Sequence, residues 1–314
     1  MERTSRVYVA GHRGLVGSAL VRELHRQGYE RLICRTREQL DLIDRPAVDA
    51  FFAEERPEYV FMAAARVGGI LANNTYPADF IRENLQVQVN VIDAAYRAGV
   101  KKLVFLGSVC IYPKVVPQPI REEYLLSGPL EPTNAPYAIA KIAGISMCQS
   151  YNRQFGTRYI SLMPTNLYGP GDSFDLQNSH VLPALMRKFD EAKQLALPKV
   201  TVWGSGTPRR EFLHVDDMAS ACVFLMEKYE SSEIINVGCG EDISIGELAT
   251  KIQRVVGYDG ELEFDRSKPD GTPLRRLDVS RLTALGWAPK VSFEAGLRAT
   301  YEWFRDNRHT LRSH

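Results

Sequence analysis

Tyr137 and Lys141 stand four residues apart in APYAIAKIAG, a stretch with helical spacing, so both side chains fall on one helix face. A lysine charge beside a phenol favours phenolate, which lets a tyrosine exchange a proton with a carbonyl or alcohol oxygen near neutral pH. Ser108 follows the apolar run KLVFL, at the end of a predicted buried strand. In open parallel sheets that is where substrates sit. Cys110, two residues further on in GSVCIYP, is surplus to a simple reductase. On an extended chain Ser108 and Cys110 project to one face. A thiol, with a reference pKa of about 8.5 that a nearby positive group lowers, is chemically suited to take a proton from carbon. A small buried hydrophobe is the commoner fate of a free cysteine, and the residue alone leaves both uses open. Of the six histidines, His12 lies in a glycine turn, His25 on a helix, and His309 and His314 in the C-terminal stretch. That leaves His180, opening a helix in NSHVLPAL, and His214 in FLHVDDM, which reads as a structural hinge.

A second cluster could bind a dinucleotide. The run RVYVA leads straight into GHRGLVG and a helix, placing glycines at 11, 14 and 17. Strand, tight turn and helix in that order bring backbone amides close to a pyrophosphate. The spacing is GxxGxxG rather than GxGxxG, so context carries the assignment. About 20 residues on, where an NAD enzyme places an acid for the ribose 2'-hydroxyl, the sequence is CRTR. Arg35 or Arg37, with Arg13 inside the turn, suits a 2'-phosphate and predicts NADP(H). Asp41 follows closely and could reach the adenine edge.

These residues need a scaffold, and the first half of the chain supplies its pattern. Short apolar runs at 6–10, 31–35, 59–64, 102–106 and 159–164 alternate with helical segments opening near Gly14, Asp44, Pro77 and Pro136. Runs buried on both faces, alternating with helices, predict an α/β fold with a doubly wound parallel sheet of Rossmann type. Beyond NLYGPG the pattern loosens: a helix at 181–193, a strand in VTVWG, a helix in DDMASACVFLMEKY, and a strand at INVG. Ser244 and Glu247 then have capping-box spacing for a further helix, ELEFD reads as a strand, and an amphipathic helix spans about 293–307. The expected division is a cofactor domain at 1–170, with a return segment near 211–240, and a smaller mixed α/β substrate-binding domain in the remainder of 171–314. The last residues, 309–314, are expected to be a solvated tail.

Bulk composition narrows the class. With 39 basic and 38 acidic side chains the net charge is +1, which argues against nucleic acid or an anionic membrane as main partner. The N-terminal stretch lacks the apolar core of a signal peptide, and no run reaches the roughly 18 apolar residues of a membrane span. The five cysteines are scattered without metal-ligand spacing, as free thiols in a reducing cytoplasm would be. No disulfide and no metal site are expected.

The segments GHRGLVG, the strand-end GS and YAIAK resemble the extended short-chain dehydrogenase/reductases. ARVGGILANNTYPADF, GSVCIYP, EPTNAPYAIAKIAG, MPTNLYGPGD, NSHVLPAL, TVWGSGTPRREFLHVDDMA and SKPDGTP resemble, within them, the GDP-L-fucose synthase family, over nearly the whole chain. The resemblance implies an oxidoreductase and isomerase that epimerises GDP-4-keto-6-deoxy-D-mannose at carbons 3 and 5 and reduces carbon 4 with NADPH. It implies Ser108, Cys110, Tyr137, Lys141 and His180 as catalytic, with Cys110 the base and His180 the acid. It implies a cofactor site of Gly11, His12, Arg13, Gly14, Leu15, Val16 and Gly17, with Arg37, Asp41, Leu106, Gly107, Lys141, Pro164, Thr165, Asn166, Leu167 and His180. Lys188, Trp203, Arg210 and Asp270 are implied as GDP-sugar contacts, Lys188 standing where some members have arginine. A flat ring suits a sugar or base, cations suit a diphosphate, and an aspartate suits guanine's donors. Arg187 and Arg209 are adjacent alternatives. A cytoplasmic homodimer, packed as a four-helix bundle through the helices at 77–98 and 136–155, is also implied.

Overall fold

The computed structural model describes residues 1–176, 179–268 and 270–309. In chain order the first half contains β1 (Arg6–Ala10), α1 (Leu15–Arg26), β2 (Arg31–Ile33), α2 (Arg45–Glu55), β3 (Tyr59–Met62), α3 (Ile70–Thr75) and α4 (Pro77–Arg97). β4 (Lys102–Leu106), α5 (Ala135–Phe155), β5 (Tyr159–Pro164) and β6 (Asn166–Tyr168) follow. Then come α6 (Val181–Gln194), β7 (Lys199–Trp203), β8 (Arg209–Arg210), β9 (Phe212–His214), α7 (Val215–Lys228) and β10 (Ile235–Val237). The chain closes with β11 (Ile243–Ser244), α8 (Ile245–Val256), β12 (Glu261–Asp265), β13 (Leu274–Arg275), α9 (Ser280–Ala284) and α10 (Phe293–Asn307).

The central sheet runs β2-β1-β3-β4-β5-β10, every neighbouring pair parallel. Because side chains alternate between faces, each strand feeds two cores. Tyr8, Met62 and Phe105 pack with Phe52 of α2, Ile92 of α4 and Ile145 of α5. Val7, Val9 and Val104 pack with Leu20 of α1 and Met218 of α7 on the opposite face. Helices on both faces explain why these strands read as unbroken apolar runs. A third apolar cluster, with Leu185 and Phe189 of α6, Val202 of β7, Leu248 of α8 and Phe304 of α10, builds the remaining layer. The chain returns to the sheet at α7 and β10, and a second time where Leu277, Leu282 and Trp287 enter the two sheet cores. The boundaries expected from sequence do not include that second return.

Local signals set the helix ends. The Asp44 side chain accepts the Ala47 N–H ahead of α2, and Ser244 and Glu247 close the capping box of α8. Gly156 and Gly257 end α5 and α8 in the left-handed region. Among the described residues no helix is long and apolar enough to cross a membrane.

Candidate active site

Sheet order reverses at β1, with β2 on one side and β3 on the other, and the crevice at that switch point is where open α/β sheets bind ligands. The glycine turn fills it closely. Gly11 has φ +81°, and a Cβ there would stand 2.8 Å from the Ala64 backbone that continues β3. A Cβ on Gly17 would stand 2.0 Å from the Gly11 carbonyl oxygen, so α1 docks directly on the turn. Gly14 caps α1 with no side chain to occupy its first-turn amides. Free amides, a close backbone approach and a helix N-terminus together fit a dinucleotide pyrophosphate. His12 is partly buried in the turn, and burial, then Arg13, hold its imidazole below the ordinary pKa.

The arginines beside the crevice differ in availability. Arg35 is engaged: it pairs with Glu55, donates to the Cys34 carbonyl at 2.9 Å and lies 5.7 Å over the Phe51 ring. Arg37 is exposed, with Asp41 at 3.8 Å as its ion-pair partner, and Arg13 is exposed as well. Asp41 is itself held by the Ile43 N–H, which donates to it at 3.0 Å.

The reaction-centre residues gather at the carboxyl ends of β4 and β5. Lys141 is almost fully buried on α5 and donates to the Leu106 carbonyl at 2.8 Å. Burial pushes its pKa down to about 8. Its ammonium lies 5.8 Å from the centre of the Tyr137 ring. The phenolate expected from the Tyr/Lys spacing is not what this geometry favours. Burial first, and the Cys110 charge second, raise the Tyr137 pKa, opposed by a hydrogen bond with Ser108. The phenol keeps its proton at neutral pH.

The chain beyond β4 does not stay extended. Ser108 instead caps a tight 3-10 turn over Val109–Ile111, its Oγ accepting the Cys110 N–H at 3.2 Å. The expectation that Ser108 and Cys110 share a strand face is therefore corrected: the turn, not a pleat, places them. Cys110 Sγ accepts from Asn134 Nδ2 at 3.3 Å, just ahead of α5, and lies within electrostatic reach of Tyr137. Arg275, which sequence reasoning missed, reaches this turn from β13. It donates to the carbonyls of Val109 at 2.9 Å, Pro113 at 3.3 Å and Tyr112 at 3.4 Å. No spacing in TPLRRLD marks it out, because the register of β13 on β8 alone brings it here.

His180 stands apart. It precedes α6 as its N-cap without a side-chain capping bond, and no hydrogen bond among the described residues joins it to Ser108, Cys110 or Tyr137. Its side chain is exposed. His214 is a structural cap: its Nδ1 accepts the Asp216 N–H at 3.3 Å at the start of α7.

A second group faces outward beside these residues. Trp203 is 69% exposed at the end of β7, with Lys188 Nζ 5.3 Å and Lys268 Nζ 5.6 Å from its ring centre. Asp270 accepts from the Ser205 backbone N–H at 2.8 Å and from its hydroxyl at 2.7 Å. Arg210 donates to the Thr272 carbonyl at 2.6 Å, and burial, then Arg275, lower its pKa. The adjacent alternatives are already engaged: Arg209 by Asp242 and Glu247, Arg187 by Glu191 and the Phe174 carbonyl. Thr165 and Asn166 donate to the Glu211 carbonyl, tying the β5–β6 junction to the strand carrying Arg210.

Residues 7–238 match the NAD dependent epimerase/dehydratase family. Over 307 residues the chain is 60% identical to a putative GDP-L-fucose synthase 2 of Arabidopsis thaliana, covering 98% of this chain and 94% of the relative. It is 57% identical to the GDP-L-fucose synthase of Escherichia coli strain K12, covering 98% of each. A GDP-L-fucose synthetase from Naegleria fowleri, solved bound to NADP, superposes with a TM-score of 0.93 at 30% identity, over 100% of this chain and 98% of that one.

Proposed function

Because this chain belongs to the NAD dependent epimerase/dehydratase family, we propose that it converts GDP-4-keto-6-deoxy-D-mannose to GDP-L-fucose, inverting carbons 3 and 5 and reducing carbon 4. The observation that carries the reading is the Cys110 thiol, held by Asn134 at 3.3 Å in the turn that Ser108 caps, beside the Ser108 and Tyr137 pair. A carbonyl reductase needs the pair, and an epimerase needs the thiol as well.

The residues divide as follows. Gly11 to Gly17 would hold the NADPH pyrophosphate and Arg13 and Arg37 the 2'-phosphate, with Asp41 steering Arg37. Leu106, Gly107 and the run Pro164 to Leu167, at the ends of β4 and β5, would line the cofactor crevice, and Lys141 would hold the nicotinamide ribose. When bound, NADPH supplies the hydride for carbon 4. The keto group at carbon 4 acidifies the protons at carbons 3 and 5, so inversion needs a base on one ring face and an acid on the other. Cys110 is the base and His180 the acid. Ser108 orients the keto oxygen, and Tyr137, protonated by virtue of its burial, gives that oxygen its proton. Lys141 keeps a positive charge near the oxygen as the proton leaves. Lys188, Arg210, Trp203 and Asp270 bind the GDP moiety.

The separate third apolar cluster supports a division into a cofactor domain and a GDP-sugar domain. Val89 of α4 and Ile139 and Phe155 of α5 expose apolar surface along two packed helices, which supports a homodimer formed as a four-helix bundle.

Incubation with GDP-4-keto-6-deoxy-mannose and NADPH in deuterated water tests the reading. NADPH should be oxidised and deuterium should appear at carbons 3 and 5 of the product. No NADPH oxidation would sink the enzyme reading, and reduction without deuterium would leave a 4-reductase.

A further inference from the structure

Cys110 sits in a turn that its own sequence does not explain. GSVCIYP carries no charge, yet a carbon base spends part of its cycle as a thiolate, and an anion half-buried at the end of a central strand needs a partner. The groups facing the sulfur come from three directions. Ser108 caps the turn and Asn134 donates to Sγ at 3.3 Å. Tyr137 faces it from α5 as a neutral phenol. Arg275 comes from β13 to the carbonyls on either side of Cys110; burial lowers its pKa, and a charge on Cys110 opposes that. The nearby acid, Glu131, acts on Arg275 but is itself paired with Lys114 at 3.1 Å.

We propose that Arg275 is the positioning residue and counter-charge of Cys110: it holds the 109–113 backbone in the turn that aims the thiol and keeps a positive charge beside the sulfur. This deepens the reading of Cys110 as the base and rests on it. The guanidinium donates to three carbonyls, of Val109, Tyr112 and Pro113, which bracket Cys110 on both sides along the chain. A planar fork with five donors is suited to such a task, and the charge is retained at every working pH. The register of β13 on β8 sets Arg275 directly beside Arg210, the residue proposed for the diphosphate. Two neighbouring cations repel each other, and an anionic diphosphate at Arg210 relieves that repulsion. The same short strand pair therefore reads the substrate and holds the base.

Three variants test this: Arg275→Met removes charge and donors, Arg275→Gln keeps donors without charge, and Arg275→Lys keeps charge. Two pH profiles are read for each, the iodoacetamide alkylation of Cys110 followed on its own peptide and the deuterium exchange at carbons 3 and 5. For Gln and Met both alkylation and exchange near neutral pH are expected to fall about tenfold and to recover at alkaline pH, where the thiolate forms without the counter-charge. Lys restores most of the neutral-pH rate. If the Gln profiles superimpose on those of the parent protein, or if all three variants lose exchange equally at every pH, Arg275 is a structural residue only and the proposal falls. Should Met fail to fold, Gln and Lys decide the matter. Cys110→Ala separates the two readings: normal exchange in that variant removes the base assignment, while the alkylation profiles still judge Arg275.

Discussion

Replacing Arg37 with alanine should weaken NADPH binding and leave NADH binding unchanged. The side chain is exposed, with a loose 3.8 Å contact to Asp41, so its removal leaves no buried charge behind and disturbs no core. A charge-assisted bond to phosphate contributes about 1.5–3 kcal/mol, and solvent screening at so open a site argues for the lower end. About 1.5 kcal/mol is roughly tenfold in Kd, and adding Arg13→Ala should bring the loss towards about a hundredfold if the two contacts are independent. Fluorescence titrations with NADPH and with NADH, at one fixed salt concentration because the contacts are screened, give the ratio directly. Arg35→Ala is the control. It loses the Glu55 ion pair and the contact over Phe51, which should lower stability by about 1 kcal/mol without changing the ratio of the two affinities. Equal losses for NADPH and NADH in Arg37→Ala, or a changed ratio in Arg35→Ala, would refute the assignment.

Lys141, with its pKa pushed down to about 8, should lose its charge as pH rises through that value, so the reduction rate should fall there; a rate flat to about pH 10 would show the charge is not used. Gly17→Ala places a Cβ 2.0 Å from the Gly11 carbonyl, forcing α1 off the turn; about 1–3 kcal/mol of stability and much of the dinucleotide affinity should go, and unchanged melting would contradict the docking described. Cys110→Ala should abolish deuterium exchange at carbons 3 and 5, whereas Tyr137→Phe should spare exchange and slow reduction by roughly 10² or more, as single-turnover NADPH oxidation will reveal.

What sequence made legible was local. The central strands declared themselves as apolar runs because helices bury both faces, and the ends of α2 and α8 were written in Asp44 and in the Ser244–Glu247 box. The Tyr137–Lys141 pair and the glycine turn were legible for the same reason, since each depends on spacing within one element and its neighbour. The two-residue strands β8, β11 and β13 were not, because they are too short to show a period. Arg275 went unnoticed with them. Whether the chain stays extended after β4 was not legible, because the turn's hydrogen bonds come from Ser108 and from a strand 160 or more residues away, and no local pattern encodes that partner. Choosing between Arg35 and Arg37 likewise needed the third dimension, since Glu55 on α2 is what occupies one and not the other.

The electrostatics of the site also bear on why one pocket can serve two reactions. Burial acts on Tyr137 and Lys141 in opposite directions, favouring a neutral phenol and weakening the ammonium. A negative charge on Cys110 strengthens that bias by resisting a second anion on Tyr137. While Cys110 is anionic and ready to take a proton from carbon, Tyr137 therefore holds its own proton most firmly. Once Cys110 has taken that proton the resistance disappears, and the phenol releases its proton more readily. Chemistry imposes the same order from the substrate side, because the protons at carbons 3 and 5 are acidic only while carbon 4 remains a ketone.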